Sequence, residues 1–332
     1  EQLVTEYVER LIRYPGALQV LTFAAGRLRL VGVRAGGSAP LVGHPIRMLR
    51  DHLPDVEVRV VAVYRDGRSL EPGAELVLKE DDEVFFLAER DQVRRVMSEL
   101  RKEDNPAKRV VIAGGGSIGF RLARMLEKTH HVKVIERDPK RARHISEVLE
   151  HAIVLHGDAA DEELLIEENI DSADVFAALT NSEEANILSA MLAKRLGAAK
   201  VMALINKPSY AELMESGSID VAISPQSVTI GSLLAHVRRG DIVRVHSLKH
   251  GAAEAMEAIA HSEGGRSRVV GVAVGEIALP DGARIGAIVR DQKVIMTQDN
   301  TVVEEGDHVI IFLADRRHVE QVERLFMTAT PR

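Results

Sequence analysis

The stretch Arg109-Val110-Val111-Ile112-Ala113-Gly114-Gly115-Gly116-Ser117-Ile118-Gly119-Phe120-Arg121-Leu122-Ala123 reads as a short apolar strand, a G-x-G-x-x-G turn and the start of a helix. Glycine at 114 permits the tight bend, glycine at 116 lets a diphosphate approach the backbone without meeting a Cβ, and glycine at 119 allows close helix-to-strand packing. The free N–H groups of a helix over 117–127, those of Ser117 and Ile118 among them, then point at the phosphates. A plain strand-to-helix connection uses glycines too, so the surroundings decide the reading.

Working outward, His131-Val132-Lys133-Val134-Ile135 reads as a second strand ending at Glu136, twenty residues beyond Gly116. A carboxylate there accepts hydrogen bonds from an adenosine ribose and repels a 2′-phosphate. That favours NAD(H), or an adenine nucleotide with an unphosphorylated ribose, over NADP(H); a solvated strand-end charge paired with Arg137 is the plainer alternative. Arg137 is placed over the adenine or against a phosphate, and Asp138 at the cap of a helix over 139–150. Further strands are expected at 152–155, 174–179, 200–205 and 219–223, with helices near 161–168, 182–196, 208–215 and 226–239. Their largely apolar runs suit strands buried on both faces. The alternation gives a doubly wound parallel α/β domain of Rossmann type over 108–239, including its terminal crossover helix.

Ligands in such a sheet lie outside the carboxyl ends of its strands. Gly157, Asp158 and Ala159 fall there after the third strand, and Thr180 and Asn181 after the fourth. Asp158 either holds an adenine amino group or caps the helix at 161–168. Thr180 and Asn181 either line the central ribose and diphosphate or serve a local turn.

The chain of 332 residues is long for one core and should hold two or three domains. Aromatics make up only 3% and the net charge is −7, which disfavours stacking platforms and any general attraction to nucleic acid. Cysteine is absent, excluding disulfides and thiolate metal sites and fitting a reducing cytosolic setting. No apolar run is long enough to span a bilayer, so a membrane role is expected to be peripheral. At the start, Leu3, Val4, Tyr7, Val8, Leu11 and Ile12 recur at helical spacing, a stripe expected to be buried against a partner surface.

Two regions outside the central domain repeat each other. Asp82-Glu83-Val84-Phe85-Phe86-Leu87 matches Asp307-His308-Val309-Ile310-Ile311-Phe312, and each is followed by a short amphipathic helix. Upstream stand Arg65-Asp66-Gly67 and Arg290-Asp291-Gln292, and before them Leu41-Val42-Gly43 and Val269-Val270-Gly271. Two small α+β modules are expected, at 14–101 and 240–332, joined to the nucleotide domain by a linker at 102–107 and by the helix at 226–239. The acidic residues Glu80-Asp81-Asp82 and Glu304-Glu305-Gly306-Asp307 read as turn formers rather than metal ligands.

With the glycine turn, the Val134-Ile135-Glu136-Arg137-Asp138 strand end, Gly157-Asp158-Ala159, the Thr180-Asn181…Glu184…Asn186 stretch and the flanking repeats together, the whole chain resembles the RCK/KTN regulatory family. The resemblance implies a non-enzymatic, cytoplasmic subunit at the inner face of the membrane, gating a membrane-embedded potassium channel or transporter in response to NAD(H) or ATP/ADP. It places phosphates at Gly114, Gly116, Ser117, Ile118 and Gly119, the ribose at Glu136 and the base at Arg137, Asp158 and Ala159. Two small modules around one nucleotide domain imply a fragment lacking a first Rossmann domain, with residues 1–13 as the residual crossover helix of that domain. Such a fragment is expected to dimerise, whereas the full-length protein forms a tetrameric ring.

An NAD-dependent oxidoreductase would use the same turn and carboxylate. It also needs a proton donor or carbonyl-polarising group at the nicotinamide. The chain's 13 histidines form no H-E-x-x-H, and His156 with Asp158 is the best of poor pairs.

Overall fold

The computed structural model describes residues 1–102, 106–207, 209–210, 218–237, 241–248, 253–262 and 268–327. The helix expected at 208–215 lies largely outside them. The chain divides into two units, residues 1–15 with 104–229 and residues 16–103 with 230–332. Its elements begin with α1 (Gln2–Arg13), β1 (Ala17–Phe23), β2 (Leu28–Arg34), α2 (Met48–His52), β3 (Val58–Arg65), β4 (Arg68–Leu70), β5 (Glu83–Glu89) and α3 (Val93–Leu100). They continue with β6 (Arg109–Ala113), α4 (Ser117–Leu126), β7 (His131–Glu136), α5 (Pro139–Val148), β8 (Ile153–His156), α6 (Glu162–Glu167), β9 (Val175–Ala178), α7 (Glu183–Arg195), β10 (Lys200–Leu204), β11 (Val221–Ile223) and α8 (Pro225–Val237). The last are β12 (Ile242–Leu248), β13 (Ala253–Ile259), β14 (Ala283–Arg290), β15 (Lys293–Met296), β16 (His308–Leu313) and α9 (Val319–Leu325).

In the first unit six strands form one sheet in the order β11-β10-β9-β6-β7-β8, every neighbouring pair parallel. The run Val110–Ala113 is buried throughout, as is Val175–Ala178, which explains why these strands do not alternate. Strand order reverses at β6, which has β7 on one side and β9 on the other. Their carboxyl ends therefore border the crevice at the topological switch point. Asp138, Asp161 and Ser182 cap α5, α6 and α7 through their side chains, each starting its helix at the ligand end of the sheet.

The stripe on α1 meets its own chain, correcting the expectation of a partner surface. Helix α1 packs on α4 and buries Val4, Tyr7, Val8, Leu11 and Ile12, while Leu3 stays 41% exposed. The buried Lys200 Nζ donates to the Leu11 carbonyl at 3.2 Å, anchoring the helix to β10.

The second unit holds the repeat. Its two five-stranded antiparallel sheets have matching orders, β1-β2-β5-β3-β4 and β12-β13-β16-β14-β15. Matching irregularities break the register between Val60 and Ala62 and between Ile285 and Ala287. Gly43 and Gly271 both take positive φ, +85° and +81°, where a side chain would be strained.

The acidic turns do more than reverse the chain. Asp82 and Asp307 are fully buried, each holding an arginine in a two-pronged grip. Arg65 Nε and Nη2 reach the Asp82 oxygens at 2.8 Å each, and Arg290 does the same to Asp307. A backbone N–H, from Lys79 in one copy and Glu304 in the other, adds a third donor at 2.8 Å. The same guanidinium then bonds the Val77 or Val302 carbonyl. In sequence these acids look like turn formers, because nothing local shows that the arginine seventeen residues earlier lies opposite them. The two modules meet within this unit, where Gln19 Nε2 donates to Ser247 O at 2.9 Å and Arg284 pairs with Glu71 at 2.7 Å.

Candidate nucleotide site

At the end of β6, Gly114 takes φ +103° and its N–H donates to Ile135 O at 2.8 Å. A Cβ at 114 would stand 2.9 Å from Thr180 Cγ2 and 3.1 Å from the Thr180 backbone, and one at 119 would collide with the Gly114 carbonyl oxygen. Gly116, by contrast, faces open space, with nothing within 4 Å of an added Cβ. Helix α4 begins at Ser117 with Gly116 as its cap, and no side chain closes that end. The first N–H groups of a helix lack intrahelical partners, so this end presents donors and the positive pole of the helix dipole beside the crevice.

Glu136 ends β7. Its Oε2 accepts from Gly115 N at 2.8 Å and its Oε1 from Asp138 N at 2.7 Å. Two backbone donors thus fix the carboxylate against the glycine turn, with acceptor capacity left on both oxygens. The middle glycine, which the G-x-G-x-x-G spacing ignores, is crowded like Gly114 and Gly119 and unlike Gly116: a Cβ on Gly115 would lie 2.5 Å from Ile145 Cδ1 and 3.1 Å from Glu136 Oε2.

The remaining candidates divide between the rim and the frame. Arg137 is exposed, with its carbonyl 3.2 Å from His156 Nε2. Asp158 accepts from Ala160 N at 2.9 Å and shapes the turn after β8; the cap of α6 is Asp161, not Asp158. Ala159 is half-buried against the core of the unit. His156 and Asp158 are thus engaged with different backbone groups, not with each other. Asn181 is exposed at the tip of the turn before α7. Thr180 presses on Gly114 and is held by Asn186, a buried residue that the sequence marked only as part of the Thr180-Asn181…Glu184…Asn186 stretch. Among the described residues no group of three or more histidine, aspartate or glutamate side chains is arranged to hold a metal ion.

The TrkA-N domain family matches residues 110–225, and the TrkA-C domain family matches 30–101 and again 266–327. The Trk system potassium uptake protein TrkA of Halomonas elongata is 55% identical over 326 residues, covering 98% of this chain and 71% of that protein. The chain belongs to the TrkA family. TrkA of Vibrio alginolyticus is 54% identical over the same shares of both chains.

Among solved structures, the GsuK RCK domain superimposes with a TM-score of 0.52 at 20% identity, covering 97% of this chain and 70% of that one. The GsuK channel bound to NAD gives 0.52 at 19%, covering 97% and 58%. These place the TrkA-family chain in the RCK fold, a parallel Rossmann-type sheet accompanied by antiparallel TrkA-C sheets. The reading of a fragment lacking a Rossmann domain is corrected by the family matches: TrkA-N falls on the six-stranded sheet and TrkA-C on both modules, so both domain types are present. Family membership makes this a regulatory protein, not an oxidoreductase.

Proposed function

We propose that this TrkA-family chain is the nucleotide-sensing regulatory subunit of a bacterial potassium uptake system, acting as a homo-oligomer at the inner face of the membrane on a Trk-type transporter subunit. Its ligand is NAD(H), with ATP or ADP as competing adenine nucleotides. The reading rests on one observation, the open Gly116 approach to the uncapped start of α4 beside a Glu136 carboxylate already fixed by Gly115 and Asp138. The diphosphate lies against Gly114, Gly116, Ser117, Ile118 and Gly119 and takes the free N–H groups at the start of α4. Glu136 takes the ribose hydroxyls, Arg137, Asp158 and Ala159 border the base, and Thr180 and Asn181 flank the central ribose and diphosphate. The relatives are Trk system potassium uptake proteins, which supports the transport role.

The mechanism is linkage. A ligand shifts an assembly between shapes only by its differential affinity for them, and a tenfold preference supplies about 1.4 kcal/mol per site. Calorimetry with NADH, NAD, ATP and ADP tests the reading. Glu136→Ala should weaken NADH at least tenfold, whereas no detectable binding of all four by the folded parent protein would reject the site.

A further inference from the structure

Behind the glycine turn lies one asparagine that uses its whole hydrogen-bonding capacity. Asn186 is 1% exposed, in the first turn of α7. Its Oδ1 accepts from Thr180 N at 2.8 Å and from Thr180 Oγ1 at 2.6 Å. Its Nδ2 donates to Thr180 O and to Leu204 O, both at 3.1 Å. The amide orientation is fixed, because a backbone N–H only donates and the two carbonyls only accept. A fully satisfied buried amide of this kind is stiff, since moving any partner leaves a polar group unpaired in a dry interior.

Two further contacts give that stiffness a direction. Thr180 abuts Gly114, with Cγ2 and the backbone against the position a Cβ would take, so the bend of the phosphate turn is backed by Thr180. On the other side, Leu204 is the last residue of β10, and the segment after it is tied separately to α7 by Glu183, whose Oε1 accepts from Lys207 N at 2.9 Å. Asn186 therefore joins the carboxyl ends of β9 and β10 and, through Thr180, the turn at the end of β6. Among the described residues, the Glu183 side-chain bond goes to the segment after β10.

We infer that Asn186 is the positioning residue that couples the glycine turn to the carboxyl end of β10, so that displacement of the turn by a bound nucleotide is transmitted to the segment following Leu204. The part concerning nucleotide rests on the function proposed above; the mechanical part does not.

Hydrogen exchange of the whole chain separates the two. Asn186→Asp preserves shape and acceptor but removes both donors and sets a carboxylate against two carbonyls. Exchange of the Gly114 and Gly115 amides, bonded to Ile135 O and Glu136, should rise at least tenfold in this variant. NADH affinity should fall at least tenfold with it. Glu183→Ala should raise exchange at Lys207 and leave the glycine amides within twofold. Unchanged glycine exchange in folded Asn186→Asp overturns the inference, as does an equal rise in Glu183→Ala. If Asn186→Asp does not fold, Thr180→Ser, which keeps the hydroxyl and removes the methyl touching Gly114, is judged by the same glycine amides. Absence of NADH binding by the parent protein removes the functional reading alone, because the exchange result is read without ligand.

Discussion

In the first TrkA-C module the middle of β2 is Gly32, opposite Gln19 and Phe85; in the second module the equivalent place in β13 is Glu257, opposite Arg244 and Ile310. A Cβ on Gly32 would stand 2.5 Å from the Phe85 ring, so glycine there makes room for an aromatic core residue. Glu257 instead buries a carboxylate, 2% exposed, that pairs with His308 Nδ1 at 2.6 Å and Arg244 Nε at 3.5 Å. It also accepts from Ala24 N of the first module at 3.0 Å, where the backbone has left-handed φ values of +47° at Ala24 and +53° at Ala25. The modules share a frame and differ at their seam. A repeat thus keeps the contacts that fold it locally while one copy gains a buried polar group that fixes its neighbour.

The shared part should show the largest effect. Removing one partner of a buried ion pair strands the other, which costs about 3–5 kcal/mol. Asp82→Ala and Asp307→Ala should each destabilise by about that much in urea unfolding, with Arg65 and Arg290 a quarter exposed and so toward the lower end. Arg290 also pairs with Glu304, where the first module has Lys79, so Asp307→Ala should be the milder of the two, and the reverse order would break the comparison.

The unshared part should show less. Glu257→Ala removes a charged acceptor from Ala24 N and should cost about 1.5–3 kcal/mol, with faster exchange at the Ala24 amide than at equivalent turns. Retained protection at Ala24 would show that the left-handed turn holds itself.

The smallest difference lies after the last strand of each module, where Asp315 of the second stands in the place of Arg90 in the first. Hydrogen bonds from the Arg317 side chain and backbone hold the Asp315 carboxyl well below its ordinary value, at about 2. Because its folded value is depressed, its contribution is complete above the unfolded value near ~4 and is lost as pH falls toward 2. An NMR titration should find the Asp315 midpoint near that lower value, and Asp315→Asn should remove this group's small share of the stability lost on the acid limb, because the pair with Arg317 is solvent-exposed.

Much of the first unit was readable because its signals are local. The glycine turn, the apolar parallel strands and the capping residues act within a few residues of themselves, and β7 ending at Glu136 follows from them. Gly115 and Asn186 were not singled out for what they do: the G-x-G-x-x-G spacing passes over the former, and no local pattern shows that Thr180 O and Leu204 O converge on the latter. The burial of Asp82 and Asp307 escaped for the same reason. An acidic turn looks alike in sequence whether its carboxylate faces water or an arginine from another strand.

The sequence by itself determined the strand–turn–helix that opens the nucleotide domain, the doubly wound succession that follows it and the existence of two related modules, because backbone conformation and hydrophobic periodicity are written in neighbouring residues. Tertiary structure alone decided that α1 is covered by α4, that Glu136 is fixed by Gly115, that Asn186 backs the glycine turn and that Glu257 reaches across to Ala24. Each of those depends on groups far apart in the chain whose meeting is set by how sheets and helices pack, and hydrogen bonds act only between atoms that packing has brought within about 3 Å.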